Sequence, residues 1–413
     1  MTLSLRLRLS AMMLLQYVIW GAWAPVLSAY LQNTLHFSGW QTGATMALLP
    51  LACIISPFIG GQIADRWLPT QRFLTIAHLL GGLALLQLSR QTSYPSFWIW
   101  MFVYSLLYAP TLPLTNSLAF HHMRNAERDF GGIRVLGTIG WILAGWGLAY
   151  WRSASSLTVS GMSDSLLLAG GASLLLALVC FALPHTPPSK SENPWAFLGA
   201  LKLLRNTNFA IFMGISFVVV TELQFYYVLT APFLEYIGIS SRRLPAVMTV
   251  AQLAEIIAMA ALLPIFLPRL GARKCLAIGV IAWPIRYAIF AIGKPVWLVV
   301  ASLAMHGLGY TFFFVVGQVY VNEVASRDIR ASAQSLLTLI TLGLGNFLGA
   351  YFAGWIQDHF TTGAVVNYTG VFLVPCALTV ACALAFLIFF KDVRKEADGR
   401  PAAGEELAAG KGK

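Results

Sequence analysis

Apolar stretches of about 20 residues, each long enough to cross a bilayer core of about 30 Å as a helix, recur almost from one end of the chain to the other. They predict spans near 9–31, 41–64, 73–90, 97–120, 132–151, 165–184, 210–234, 244–267, 275–293, 296–321, 332–356 and 368–390. Helices are expected because every backbone polar group in lipid must be satisfied within its own segment. The longest polar connection, His185 to Asn208, carries Pro187, Pro188 and Pro194 and separates six spans from six. The expected organisation is a bundle at 1–184, a cytoplasmic linker at 185–208, a second bundle at 209–391 and a disordered tail at 392–413. This is an all-α membrane protein of twelve transmembrane helices.

Composition agrees with that pattern. With 58% hydrophobic and 10% charged residues, and a mean hydropathy of +0.72, a water-soluble globule could not cover its own surface. The net charge of +11 could suggest nucleic-acid binding, but its placement argues against it. If the N-terminus is cytoplasmic, about 21 Lys and Arg fall on that side and about 5 on the other (Arg90, Arg152, Arg242, Arg243 and Lys294). The expected setting is therefore the inner membrane, with both termini cytoplasmic and the lipid bilayer rather than nucleic acid as the large partner. Arg6 and Arg8 precede the first apolar run as in a signal peptide, yet the run is long and eleven more follow, so it reads as a retained helix. The five cysteines all lie inside spans without Cys-x-x-Cys spacing, which implies neither a disulfide framework nor a metal site. No cofactor is implied.

A faint repeat relates the halves. Asp65-Arg66 and Arg72 after span 2 correspond to Arg269, Arg273 and Lys274 after span 8, about 203 residues later. Arg128-Asp129 and Arg327-Asp328 are 199 apart. A shared offset near half the chain length suggests a duplicated six-span unit, with a substrate site between the halves near mid-membrane.

Polar residues inside spans are few, and each must face a partner or a cavity. Residues three, four or seven apart share a helix face. Arg134, Thr138 and Trp141 form one such stripe, Gln224 and Tyr227 a second, Gln252 and Glu255 a third, and His306 and Tyr310 a fourth that Phe313 and Phe314 continue. Gln16, Trp20 and Trp23 in span 1, and Tyr104, Tyr108, Thr111 and Thr115 in span 4, follow the same spacing. Helix packing accounts for the last two as readily as a cavity does. Glu222 is about 200° around its helix from Gln224 and faces elsewhere, and Arg286 has no partner legible in the sequence. The stripes describe a cavity of amide, hydroxyl and aromatic groups with few charges, suited to a neutral ligand with a flat ring and several hydroxyls.

Motifs exclude other classes. No span carries His-Glu-x-x-His, paired Asp, Gly-x-Ser-x-Gly or clustered Cys and His, so an enzyme is not expected; a Gly-x-x-x-x-Gly-Lys loop is also missing, which argues against an ATP-driven pump. A solute sensor remains open on residues alone.

Two resemblances sharpen this reading. Gly61 to Arg72 resembles the loop signature of the major facilitator superfamily, Gly-x-Leu-Ala-Asp-Arg-x-Gly-Arg-Lys. Asp65 and Arg66 match it and would form the cytoplasmic gate, while Leu68-Pro69-Thr70 interrupts the match before Arg72. The strings Tyr17-Val-Ile-Trp20-Gly-Ala-Trp23, Ala109-Pro-Thr-Leu-Pro-Leu-Thr-Asn116-Ser, Ile133-Arg134-Val-Leu-Gly-Thr138-Ile-Gly-Trp141, Glu222-Leu-Gln224 and Ile329-Arg330-Ala-Ser-Ala-Gln334 resemble the bacterial nucleoside:proton symporter family, a branch of that superfamily. The resemblance implies two pseudo-symmetric six-helix bundles, proton-coupled import of nucleosides by alternating access, and a monomer. Its binding residues carry over onto Arg134, Thr138, Gln224, Gln252 and Glu255, whereas Trp141, Tyr227, His306 and Tyr310 stand where the family has other aromatic or polar groups. The family carries an acidic residue, a favoured proton carrier, directly after the aromatic of span 10. Here Thr311 follows Tyr310, which leaves Glu255, Glu222 and His306 as the expected proton-coupling groups, or an uncoupled facilitator. A sugar, glycoside or drug transporter on the same fold is the alternative.

Overall fold

A computed structural model describes residues 2–56, 68–123, 126–154, 163–187, 195–326 and 329–391. Asp65 and Arg66, the pairs Arg128-Asp129 and Arg327-Asp328 as side chains, and the tail after Lys391 lie outside the described residues.

Among the described residues, helices occupy all twelve expected stretches. They are α1 (Leu3–Thr34), α2 (39–56), α3 (Thr70–Leu88), α4 (Tyr94–His122), α5 (Ala126–Ala154), α6 (Asp164–Phe181), α7 (Thr207–Tyr236), α8 (244–270), α9 (272–292), α10 (Val296–Val324), α11 (Arg330–His359) and α12 (Tyr368–Phe389). Nine helical stretches of the described residues are long and apolar enough to span by themselves. One of them, Leu244–Ile292, contains both α8 and α9, because the chain reverses at Gly271, whose φ of 76° is open to glycine and strained for other residues. Gln71, Arg72, His78 and Gln87 dilute the hydropathy of α3. The linker is not wholly irregular: Ala196–Arg205 forms a 3-10 helix with Leu198, Leu201 and Leu204 exposed beside Lys202 and Arg205, and Gly199 rests near Ser332 of α11. Apolar residues beside basic ones suit the membrane interface.

Within each bundle, small residues let backbones approach, as expected where lipid is the solvent. Gly140 of α5 lies against the Leu14 carbonyl of α1, Gly349 of α11 against Thr221 of α7, and Gly307 of α10 against the backbone of Ala254 and Glu255 in α8.

Among the described residues, the hydrogen bonds that join the two bundles gather at the end bearing the α1–α2, α5–α6, α7–α8 and α11–α12 connections. Asp358 at the end of α11 accepts from the backbone N–H of Gly39 (2.7 Å) and of Trp40 (2.8 Å), capping α2 of the other bundle beside its own Ser38–Gln41 capping box. Gln32 and Gln357 pair at 2.7–2.9 Å, Trp146 Nε1 donates to Thr249 Oγ1 at 3.0 Å, and Asn33 donates to Glu235. Beneath these contacts Gly43 packs against the Ala350 carbonyl and Gly39 against Gly354. The molecule is closed at this end.

Arg152 is more than a topogenic charge. It is 2% exposed, its Nε and Nη2 each donate to Asp164 at 2.7 Å, and its Nη1 donates to the Ser241 carbonyl at 2.9 Å. One guanidinium thus ties α5 and α6 to the α7–α8 connection. Removing one partner of such a pair leaves a stranded charge, so Asp164→Asn should cost about 3 kcal/mol, the low end for buried pairs because Asp164 is partly solvated. Thermal unfolding in detergent should show a lowered melting temperature; an unchanged one would mean the pair contributes nothing.

Candidate functional site

Half-way along the helices, side chains from both bundles converge. From the second bundle, α8 presents Gln252 and Glu255, α7 presents Tyr226 and Tyr227, and α10 presents His306 and Tyr310. Their rings form a continuous group: His306 stacks on Tyr226 (4.6 Å between centroids) and on Tyr310 (6.1 Å), and Tyr227 stands edge-on to both Tyr226 (5.1 Å) and His306 (6.4 Å). The Gln252 amide lies against the Tyr226 hydroxyl, and its Oε1 is buried without a partner among the described residues. Glu255 and Tyr310 remain half-buried.

The facing wall comes from α5 and α1. The Arg134 guanidinium sits 4.4 Å over the Tyr17 ring, a cation–π contact that holds it without neutralising it. One turn on, Thr138 is half-buried, and Trp141 packs edge-on to Trp20 at 5.4 Å, with its indole N–H unpartnered among the described residues. Arg134 and Glu255 are electrostatic neighbours across the gap, and Tyr310 senses both. Among the described residues the ion pair in contact is Arg152–Asp164, so Arg134 and Glu255 oppose each other without closing. Opposite charges thus face each other between aromatic walls without an ion pair in contact.

Three helices change phase here. Five- to seven-residue π-helical turns run from Ala258 to Leu262 just after Glu255, from Tyr310 to Val315, and from Leu339 to Gly345 just before Asn346. Such turns insert a residue into the helical ladder and concentrate at functional sites.

Other expected residues lie behind this wall or away from it. Gln224 donates to Asn346 Oδ1 of α11 at 2.7 Å, a partner that the spacing argument missed although Asn346 is the one amide in the middle of its span. His306, 1% exposed, supports the Tyr226 and Tyr310 rings from behind. Thr311 is fully buried. The stripes of spans 1 and 4 are largely internal packing: Gln16 Nε2 donates to Thr111 Oγ1 at 2.8 Å, Tyr108 donates to the Gln16 carbonyl at 2.6 Å, and Trp23 Nε1 donates to the Tyr104 hydroxyl at 3.1 Å. Buried polar groups find each other there because lipid offers them nothing. Tyr17 and Tyr226 are wall residues that the stripes omitted; Tyr17 precedes Trp20 by three positions, the spacing that would have revealed it.

Two six-helix bundles meeting around a polar, aromatic cleft at mid-depth define a secondary transporter of the major facilitator fold. The chain belongs to the nucleoside H+ symporter family, whose model matches residues 1–395. It is 33% identical to a putative nucleoside transporter, YegT, of Escherichia coli, with 94% of each chain covered. It is 30% identical to the nucleoside permease NupG of the same organism, over 94% of this chain and 96% of the other. A crystal structure of the nucleoside transporter NupG, in a mutant form, superposes with a TM-score of 0.86 at 29% identity, covering 94% of this chain and 100% of that one.

Proposed function

We propose that this protein imports nucleosides with protons, and that the solute lies between Arg134 of one bundle and Glu255 of the other. The observation that carries the assignment is the opposition of these two charges across a cleft walled by Tyr17, Trp141, Tyr227 and Tyr310. In this reading Trp141 and Tyr310 stack on the base, Gln252 and Glu255 take ribose or base hydrogen bonds, Arg134 and Thr138 hold the opposite edge, and Gln224 orders the floor through Asn346. Tyr227 and His306 shape the pocket. The protein acts as a monomeric carrier and not as an enzyme, with the bundles as domains at 1–184 and 209–391 joined by 185–208. Both termini are cytoplasmic in the inner membrane, which makes the closed end the external one and this conformation inward-facing, with Asp65 and Arg66 gating the opposite end.

Labelled uridine and adenosine uptake into proteoliposomes, with an inward proton gradient and with that gradient collapsed, tests this. Accumulation is expected only with the gradient and should be reversed by unlabelled nucleosides but not by sugars. Failure to take up either nucleoside would sink the substrate assignment; equilibration without accumulation would sink the coupling.

A further inference from the structure

Behind the Tyr226 and His306 rings, the second bundle encloses a second set of charges. Glu222 of α7 is 1% exposed, and neither carboxyl oxygen has a hydrogen-bond partner among the described residues. Arg286 of α9 is wholly buried, and its guanidinium carbon rests 4.7 Å from the Trp283 and Tyr287 ring centroids, 5.1 Å from Tyr226 and 5.8 Å from Phe290. Arg286 Nη1 lies 3.4 Å from His306 Nδ1 and the Tyr287 hydroxyl is a further polar neighbour, while among the described residues no carboxylate is in contact with the guanidinium. Arg286 acts electrostatically on Glu222 yet is not in contact with it as an ion pair. The other titratable groups facing Glu222 are Tyr287 of α9, which donates to the Glu222 carbonyl, and Cys376 and Cys382 of α12; α11 meets the neighbouring Thr221 through Gly345 and Gly349.

A carboxyl without a hydrogen bond and a guanidinium without a carboxylate against it are costly inside a membrane bundle unless the two can meet. We propose that Glu222 is the group that carries the transported proton, with Arg286 as a counter-charge that moves between two seats. The proposal rests on the reading of the protein as a proton-coupled nucleoside carrier. In the present conformation Glu222 holds the proton, and Arg286 rests on the aromatic rings and His306. When the Glu222 O–H bond breaks and the proton passes to water of the cleft, the carboxylate left behind pairs with Arg286. His306 then loses its donor, and because its ring is stacked between Tyr226 and Tyr310, the change reaches the solute pocket. Proton and solute thus occupy separate carboxylates, Glu222 and Glu255.

Three measurements decide it. In infrared spectra of the purified protein in light and heavy water, the carbonyl stretch of protonated carboxylic acids should lose a component in Glu222→Gln that Glu255→Gln retains; a spectrum unaltered by Glu222→Gln overturns the proposal. In proteoliposomes Glu222→Gln should keep nucleoside counterflow and lose gradient-driven accumulation; undiminished accumulation also overturns it. Should that variant fail to fold, dicyclohexylcarbodiimide, which couples to protonated buried carboxyls, should modify wild-type Glu222 on peptide mapping, and an unmodified Glu222 peptide refutes the assignment. A wild-type protein that moves no nucleoside would refute the substrate reading alone, since the infrared and labelling results do not depend on the solute.

Discussion

Glu255→Gln should abolish productive nucleoside uptake while leaving the protein folded. The substitution keeps the shape and removes the charge that faces Arg134 across the cleft. Hydrogen bonds to charged groups contribute about 1.5–3 kcal/mol, so nucleoside affinity should fall by about 10- to 150-fold. Calorimetric titration of the purified variant with uridine measures this directly. Arg134→Met should produce a comparable loss, and because both residues grip one solute, the double variant should lose much less than the sum of the two. Wild-type affinity in Glu255→Gln would remove this residue from the site. The contrast with Glu222→Gln is informative, since that change should spare binding and abolish accumulation.

The second large effect should come from a site that touches no solute. A side chain at Gly43 would run into the Ala350 carbonyl, where α2 and α11 cross at the closed end. Overpacking of this kind costs about 1–3 kcal/mol, and here the bundles can relieve it by parting, which shifts the population of the closed form by about 5- to 150-fold. Gly43→Val should therefore favour the conformation open at the end held by Asp358 and Gln357. Spin labels on the exposed positions His36 and Val365, in a background without the native cysteines, should report a longer separation, and uptake should slow because the carrier no longer returns. An unaltered distance distribution would show that the crossing does not govern the equilibrium.

The sequence made some parts of this site legible and hid others for identifiable reasons. Gln252 with Glu255, and Arg134 with Thr138 and Trp141, stand out because lipid tolerates such groups only on an inward face, and one helical period suffices to identify that face. A stripe does not say what it faces. Gln16 and Trp23 have the same spacing as the cleft residues, yet they pair with Thr111 and Tyr104 inside one bundle. The stripe of span 10 is also interrupted: Tyr310 begins a π-helical turn, after which Phe313 is fully buried while Phe314 stays half-buried, so a regular 3.6-residue phase no longer describes the face.

Hydropathy by itself determined the number of spans, the division into halves and the helical secondary structure, because the energetic cost of polar backbone and charge in lipid acts locally on each segment. The expected orientation was read from the basic connections, on equally local grounds. Only the tertiary structure decided which faces meet. Gln32 finds Gln357 across 325 residues, Arg134 comes to face Glu255, and Glu222 and Arg286 are enclosed together behind an aromatic wall. Those pairings depend on where small residues such as Gly307, Gly43 and Gly349 let backbones approach, a property of two surfaces at once that no single segment contains.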